Sequence, residues 1–291
     1  MTERMIKSNG VDICTEAFGD PSATPILLIM GASASMLMWP EEFCEQLAAG
    51  GRYVIRYDNR DTGRSIHYPV GEPGYTVEDM ADDAAAVLDA YGLATAHIVG
   101  ASMGGMITQV FALRHRDRAR TITPIMSTPD PSAVMAVMTG ADDAGALSPP
   151  APEVLAMMMA EPVDYSDKNA VVETRVKMFG ILHGPAYPYN DADMRDIAGR
   201  EYDRDPQMAS TQNHGIAIQA SPSWRSKLPS LDIPTLVIHG TADPILPYDH
   251  GVALAKEIPG AELLTMEGVG HDLPREEFDN IIGAILRHTS R

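Results

Sequence analysis

The sequence predicts an α/β protein: a mostly parallel central sheet with helices on both faces and a helical insertion. Three observations predict it. Short apolar runs alternate with amphipathic, helix-length stretches, the signature of parallel strands joined by crossover helices. The run Pro25-Ile26-Leu27-Leu28-Ile29-Met30 is apolar throughout, as expected of a strand buried on both faces. The alternation stops after Ser127 and resumes only at Ile233, so a different kind of structure interrupts it.

The chain opens with a hairpin. Met5 to Lys7 and Val11 to Ala17 flank Asn9-Gly10, a type I′ turn pair. The buried strand at 25–30 follows. Pro40 then opens a helix from Glu41 to Ala49, which Gly50-Gly51 stops. Tyr53 to Tyr57 is the next strand, followed by the polar loop Asp58-Asn59-Arg60-Asp61-Thr62-Gly63-Arg64-Ser65. The loop arginines Arg60 and Arg64 are expected to pair with local acids such as Asp58 and Asp61. Thr76 caps a helix through Met80, Ala84, Val87, Leu88 and Tyr91, closed by Gly92. A strand at His97 to Val99, a helix from Met103 and a strand at Thr121 to Met126 complete the first part.

From Asp130 to Ser223 the pattern is helical, with patches at Ala133–Met138, Pro152–Ala160, Asn169–Leu182 and Arg204–Ala220. Residues 130–223 are therefore expected to form a helical cap inserted in a core made of residues 1–129 and 224–291. The core resumes with a strand at Ile233 to Ile238, a helix at Asp249 to Glu257, a strand at Ala261 to Met266 and a helix at Arg275 to His288.

One stretch carries the chemistry: Ile98-Val99-Gly100-Ala101-Ser102-Met103-Gly104-Gly105. It is Gly-x-Ser-x-Gly between a strand and a helix, the pattern of a nucleophile elbow. The turn strains the serine backbone, and the residues two on either side must be small. A serine hydroxyl is a weak nucleophile at neutral pH. It needs a base in hydrogen-bond reach, and the base needs an orienting acid. In elbow hydrolases these follow in the order Ser, acid, His.

Of nine histidines, His271 in Gly268-Val269-Gly270-His271-Asp272 is best placed, on a Gly-rich loop after the last strand. His97 and His239 lie on or beside strands and are expected to be structural. Asp243, after the preceding strand and one crossover unit before His271, is the expected acid; Asp130 is its rival. Asp249 reads as a helix cap and Asp272 as a loop residue. The oxyanion donors are expected to be the backbone N–H of Met103, at a helix N-terminus, and that of Ala32 in the loop beginning at Gly31.

Composition bounds the rest. The chain has 291 residues, 45% hydrophobic and 21% charged, a globular profile. A formal charge of −18 disfavours nucleic acid and anionic membranes. No apolar run is long enough to span a bilayer. Residues 1–10 lack an apolar signal-peptide core, and Cys14 and Cys44 read as free thiols, so a cytoplasmic protein is expected. No zinc-type histidine spacing occurs, so no metal site is expected, and the chemistry calls for no cofactor. Eighteen methionines are many. Met135, Met138, Met157, Met158, Met159, Met178, Met194 and Met208 fall in the insertion. Together with Met36 and Trp39 they suggest an apolar substrate pocket, since methionine adapts to varied ligands.

With the elbow, Asp243 and His271 in order, the chain resembles the α/β-hydrolases. Tyr57 to Ser65 and His239-Gly240-Thr241-Ala242-Asp243-Pro244 match loops of that superfamily. It is most similar to the aclacinomycin methylesterase group, through Leu28-Ile29-Met30-Gly31, Trp39-Pro40-Glu41-Glu42-Phe43, Val54-Ile55-Arg56-Tyr57-Asp58 and Ser102-Met103-Gly104 followed by Ile107-Thr108-Gln109-Val110. That group removes a methyl ester from a polyketide antibiotic. The resemblance implies Ser102, Asp243 and His271 as triad and Ala32 and Met103 as oxyanion donors. Gly31 and Trp39 are expected beside the substrate.

Ser102 excludes the mechanism of haloalkane dehalogenases and epoxide hydrolases, which use an aspartate at the elbow. Lactone hydrolysis, including acyl-homoserine lactones, and cofactor-free perhydrolysis use the same triad and stay open. A ligand-binding receptor on a hydrolase scaffold is the alternative from another class; repeated rapid turnover distinguishes the enzyme. The expected partner is a small-molecule ester or lactone, and the oligomeric state is not legible.

Overall fold

Asn9 and Gly10 take φ of 46° and 91°, so the first two strands, β1 (Arg4–Ser8) and β2 (Val11–Phe18), form the expected antiparallel hairpin. The computed structural model describes residues 3–132, 147–160, 163–205 and 207–290. The hairpin leads into β3 (Thr24–Ile29), α1 (Glu41–Ala49), β4 (Arg52–Tyr57), α2 (Val77–Ala90), β5 (Ala96–Ala101), α3 (Met103–Arg114) and β6 (Ala119–Ile125). After the helical segment come β7 (Leu236–Gly240), α8 (Tyr248–Glu257), β8 (Glu262–Met266) and α9 (Phe278–His288).

One eight-stranded sheet results, in the order β1-β2-β4-β3-β5-β6-β7-β8. β2 runs antiparallel to its neighbours, and β4 to β8 and β3 pair in parallel. Successive side chains on a strand point to opposite faces, which splits the apolar run at 25–30 between two cores. Leu27 and Ile29 pack with Ile55, Ile98, Ile122 and Val237 against α2, α3 and α8. Ile26 and Leu28 pack with Val54, Val99 and Ile238 against α1 and α9. Two helices show the sheet the face their spacing predicts: Val77, Met80, Ala84, Val87 and Leu88 on α2, and Phe43 and Leu47 on α1. α2 begins at a Thr76–Asp79 capping box that satisfies two N-terminal donors.

Between β6 and β7 the described residues hold α4 (Pro152–Met158), α5 (Lys168–Leu182), α6 (Asp191–Arg204) and α7 (Asn213–Ala220), and no strand. The patch expected at Ala133–Met138, with Met135 and Met138, lies outside the described residues. α6 was not expected. Its sequence is largely charged and buries only Ala198, Glu201 and Arg204, so the apolar periodicity that announces a helix is missing. The single helix expected over Arg204–Ala220 begins instead as the end of α6. A short 3₁₀ turn at Met208–Gln212 and then α7 follow.

The loop arginines depart from expectation. Arg60 makes a two-point pair with Asp83 on α2, at 2.6 and 2.9 Å, rather than with Asp58 or Asp61. Asp61 instead accepts from Tyr75 and from the Tyr68 backbone. Asp58 pairs with Arg204 of α6 at 2.6 Å and accepts the Arg64 backbone N–H, while the Arg64 guanidinium goes to Glu3. Sequence proximity misleads here because buried charges take partners from whatever element packs on them, and leaving one unpaired costs several kcal/mol (about 3–5). Cys14 and Cys44 are buried free thiols, and burial pushes both up to about 12.

Candidate active site

β5 is an interior strand of the sheet, between β3 and β6, and the turn into α3 places Ser102 at φ 55° and ψ −119°, a strained conformation for a side-chain-bearing residue. Two close approaches make the turn possible. A Cβ on Gly100 would strike the Gly104 carbonyl, and one on Gly104 would strike the Ile29 carbonyl of β3. The Ser102 N–H donates to the Ile125 carbonyl at 2.9 Å, tying the elbow to β6.

The structure brings Ser102, His271 and Asp243 together. His271 stands on the loop after β8, and its Nε2 lies 2.9 Å from Ser102 Oγ. Its Nδ1 lies 2.6 Å from Asp243 Oδ2, on the loop after β7. The carboxylate accepts, so Nδ1 carries the proton and Nε2 is left to receive the one on Ser102 Oγ. The other Asp243 oxygen accepts from the backbone N–H groups of Ile245 and Leu246 at 3.0 and 2.9 Å. Burial would raise the Asp243 carboxyl. The adjacent His271 imidazole, and His239 with Nε2 3.4 Å from Oδ2, outweigh it and hold the group well below the ordinary carboxylate range.

Asp130, the alternative acid, is placed elsewhere. Its Oδ2 lies 3.8 Å from Arg225 Nη1, and its Oδ1 accepts the Ser132 N–H. His239 is fully buried, donating from Nε2 to the Leu246 carbonyl at 2.8 Å. His97 is buried against Thr121 at 2.9 Å. Asp249 accepts the Ser148 N–H from the first turn of α8. Asp272 is paired with His183 at 2.6 Å, and His183 Nε2 donates to the Tyr187 carbonyl at 2.8 Å. Burial lowers His183, but these two acceptors prevail and raise it.

Gly31 and Ala32 lie opposite the elbow, with Ala32 exposed and Met103 buried at the start of α3. Among the described residues no acceptor is found for the N–H of either Ala32 or Met103. Two unpaired donors beside Ser102 are what a developing oxyanion needs.

Above them lies a cavity of about 430 Å³. Its floor holds Ser102, His271, Gly31 and Ala32. Its wall comes from Met157 and Met158 of α4, Met178, Phe179 and Leu182 of α5, and Met194 and Ile197 of α6. The expectation for Trp39 is corrected: it is fully buried against Phe43, ring centroids 5.4 Å apart, and Met38 and Pro40 reach the cavity in its place. Trp39 follows the 3₁₀ turn at Met36–Met38 and belongs to the core cluster with Phe43, Leu47 and Phe278. Met36 is also buried, and Met159 is 80% exposed. Met30, Met126 and Ile245 also line the cavity, and no motif in the sequence marks them. They follow β3, β6 and β7, and the general rule that ligands bind beyond the carboxyl ends of parallel strands points to them.

Among the described residues no group of three or more His, Cys, Asp or Glu is placed to hold a metal ion, and no helix is long and apolar enough to cross a membrane.

Comparison with known proteins shows the family of the chain. A family model described as "alpha/beta hydrolase fold" matches residues 24–277. Rhodomycin D methylesterases from a Streptomyces species and from Streptomyces peucetius are each 34% identical to the chain, over 297 and 302 residues. In both cases the match covers 99% of the chain and 98% of the relative. Among solved structures, the enol-lactonase from Burkholderia xenovorans superposes with a TM-score of 0.76 at 20% identity, covering 99% of this chain and all of that one.

Proposed function

The chain belongs to the α/β-hydrolase fold family and is a carboxylic-ester hydrolase, and we propose that it works through an acyl-enzyme on Ser102, with residues 130–223 acting as a cap that selects a large, mainly apolar ester. The observation that carries this reading is the unbroken relay from Asp243 through His271 to Ser102 on the floor of an apolar cavity.

Each step assigns a role to a residue. Ser102 Oγ attacks the ester carbonyl while His271 Nε2 takes its proton. Asp243 keeps the imidazole in the right tautomer and stabilises the imidazolium. The Ala32 and Met103 N–H groups receive the oxyanion. On collapse, His271 gives the proton to the departing alcohol. Water, deprotonated by the same imidazole, then releases the acid.

The rhodomycin D methylesterases favour a methyl ester, and the resemblance to the aclacinomycin methylesterase group favours a polyketide-like compound as its bearer. The cavity supports it: about 430 Å³ is more than a small acyl chain fills, and methionines recur along its wall beside Phe179, Leu182 and Ile197. The test is an initial-rate panel of methyl esters of polycyclic aromatic acids, short p-nitrophenyl esters and acyl-homoserine lactones, with peroxide and bromide as a separate arm. The polycyclic methyl esters are expected to give the highest kcat/KM. Faster turnover of lactones, or halogenation exceeding hydrolysis, replaces the substrate assignment.

A further inference from the structure

The segment that carries Ala32 is pinned on both sides of that residue. On one side, Asn59 Nδ2 donates to the Met30 carbonyl at 2.9 Å. On the other, the Ser33 N–H donates to His214 Nδ1 at 2.9 Å, and Arg175 Nη1 donates to the Ser33 carbonyl at 2.7 Å. Arg175 Nη2 is bound to Glu201 Oε2 at 2.5 Å, and the other Glu201 oxygen accepts the Ser35 N–H at 2.7 Å. Ser33 itself sits at φ 57°, in the left-handed region that a serine enters only under constraint. Thus the residue that follows Ala32 is strained, and side chains grip both of its backbone polar groups.

These grips do not come from the sheet. Arg175 lies on α5, Glu201 on α6 and His214 on α7. None of the three lines the cavity. Glu201 and His214 are essentially inaccessible. His214 is suited to its place as a neutral ring: Nε2–H donates to the Arg60 carbonyl at 2.6 Å, which leaves Nδ1 free to accept from Ser33. Burial pushes its imidazole down and keeps it neutral, with the nearby Asp61 charge working the other way. The helix that carries Arg175 also touches the other half of the machinery, because the Leu182 carbonyl at its end accepts the His271 N–H at 2.7 Å.

We propose that Arg175, Glu201 and His214 are positioning residues that fix the direction of the Ala32 N–H, so that the helices above the sheet act on turnover through the oxyanion hole and not only through substrate fit. The proposal rests on the reading of Ser102 as nucleophile and Ala32 as oxyanion donor. A hydrogen bond made only in the transition state affects kcat, whereas one made equally to substrate affects KM. The three side chains do not face the substrate, so their loss should appear in kcat alone.

The experiment uses the full chain with p-nitrophenyl butyrate as substrate and an alkyl boronic acid as a probe that forms a tetrahedral adduct on Ser102. Arg175→Met and His214→Leu are expected to lower kcat about 10- to 100-fold, short of the full loss of an oxyanion donor. KM should stay within about twofold, and boronate affinity should fall in parallel with kcat/KM. His214→Gln, whose amide supplies both an acceptor and a donor, should recover most of the kcat lost in His214→Leu. Where Arg175→Met does not fold, Arg175→Lys, whose ammonium lacks the fork that holds Ser33 and Glu201 together, is expected to lower kcat and boronate affinity in parallel at unchanged KM, and unchanged kcat overturns the proposal. A rise in KM at unchanged kcat, boronate affinity that does not move, or no recovery with glutamine overturns the proposal. Stoichiometric labelling of Ser102 by a fluorophosphonate keeps the two readings apart. A wild-type protein that turns over ester but cannot be labelled defeats the serine reading, while normally labelled variants with lowered kcat place the defect in the arm.

Discussion

Asp243 Oδ2 lies 2.6 Å from His271 Nδ1, whereas Asp130 is turned toward Arg225. Asp243→Asn presents an amide where the ring needs an acceptor, so the imidazole takes the wrong tautomer. That change is expected to lower kcat by about 10⁴. Asp130→Asn should leave kcat within about twofold, because the carboxylate faces Arg225 and not His271. Steady-state kinetics on both variants checks the pair, and the reverse pattern moves the acid to Asp130.

Ser102, the proposed nucleophile, sits in a strained conformation at φ 55°. Ser102→Ala is expected to abolish ester turnover while leaving the circular dichroism spectrum unchanged, and persistent hydrolysis of p-nitrophenyl acetate would count against the mechanism. Ser102→Gly should be more stable than Ser102→Ala by about 1 kcal/mol. Relief of a backbone strain of order 1–3 kcal/mol outweighs the extra unfolded-state entropy of glycine, about 0.4–1 kcal/mol. Urea unfolding of the two inactive variants measures the difference.

Met178 faces the cavity and Trp39 does not. Met178→Ala is expected to lower kcat/KM for a hexanoate ester about tenfold relative to the acetate ester, the usual worth of a few apolar contacts in a pocket. Trp39→Phe should leave that ratio unchanged and instead lower stability through lost core packing against Phe43. A change in chain-length preference in Trp39→Phe would return the indole to the substrate pocket.

His97 is 2% exposed, and burial lowers its imidazole to about 4 from an ordinary 6.5. The sign follows from linkage. Below pH 6.5 the unfolded chain binds a proton at this site that the folded chain refuses, so its contribution to stability is present above pH 6.5 and lost as pH falls toward 4. The depressed Asp243 carboxyl acts in the same direction, but only below the ordinary carboxylate range. Urea midpoints should therefore fall between pH 7 and pH 5, and His97→Gln should flatten that slope. An equally steep slope in His97→Gln assigns the titration to another group.

Much of the molecule is local in origin. Asn9-Gly10 makes its hairpin because those two residues tolerate positive φ. Pro40 and Thr76 start their helices for reasons contained in one turn of chain. Ser102 stands at an elbow because Gly100 and Gly104 leave room for it. The Gly-rich break after β8 marks His271 in the sequence, and the loop after β7, one crossover unit earlier, marks Asp243. α6 was not legible, because its charged sequence buries mainly Ala198, Glu201 and Arg204.

The sequence by itself determined the strand–helix alternation, the elbow and the order of the polar residues at strand ends, because each depends on backbone preferences and apolar spacing over a few residues. Only the tertiary structure decided which groups meet. β7 lies beside β8, which sets Asp243 against His271 and leaves Asp130 to Arg225. The packing of α2 and α6 on the loop after β4 gives Arg60 to Asp83 and Asp58 to Arg204. Trp39 goes to the core and Met38 to the cavity. Apolar patterning states that a residue is buried, but not against what. A buried charge or backbone N–H must find a partner, and that partner is supplied by whichever element the fold brings alongside. The strain at Ser33 and its grip by His214 and Arg175 belong to that second class, since their contacts span well over a hundred residues of chain.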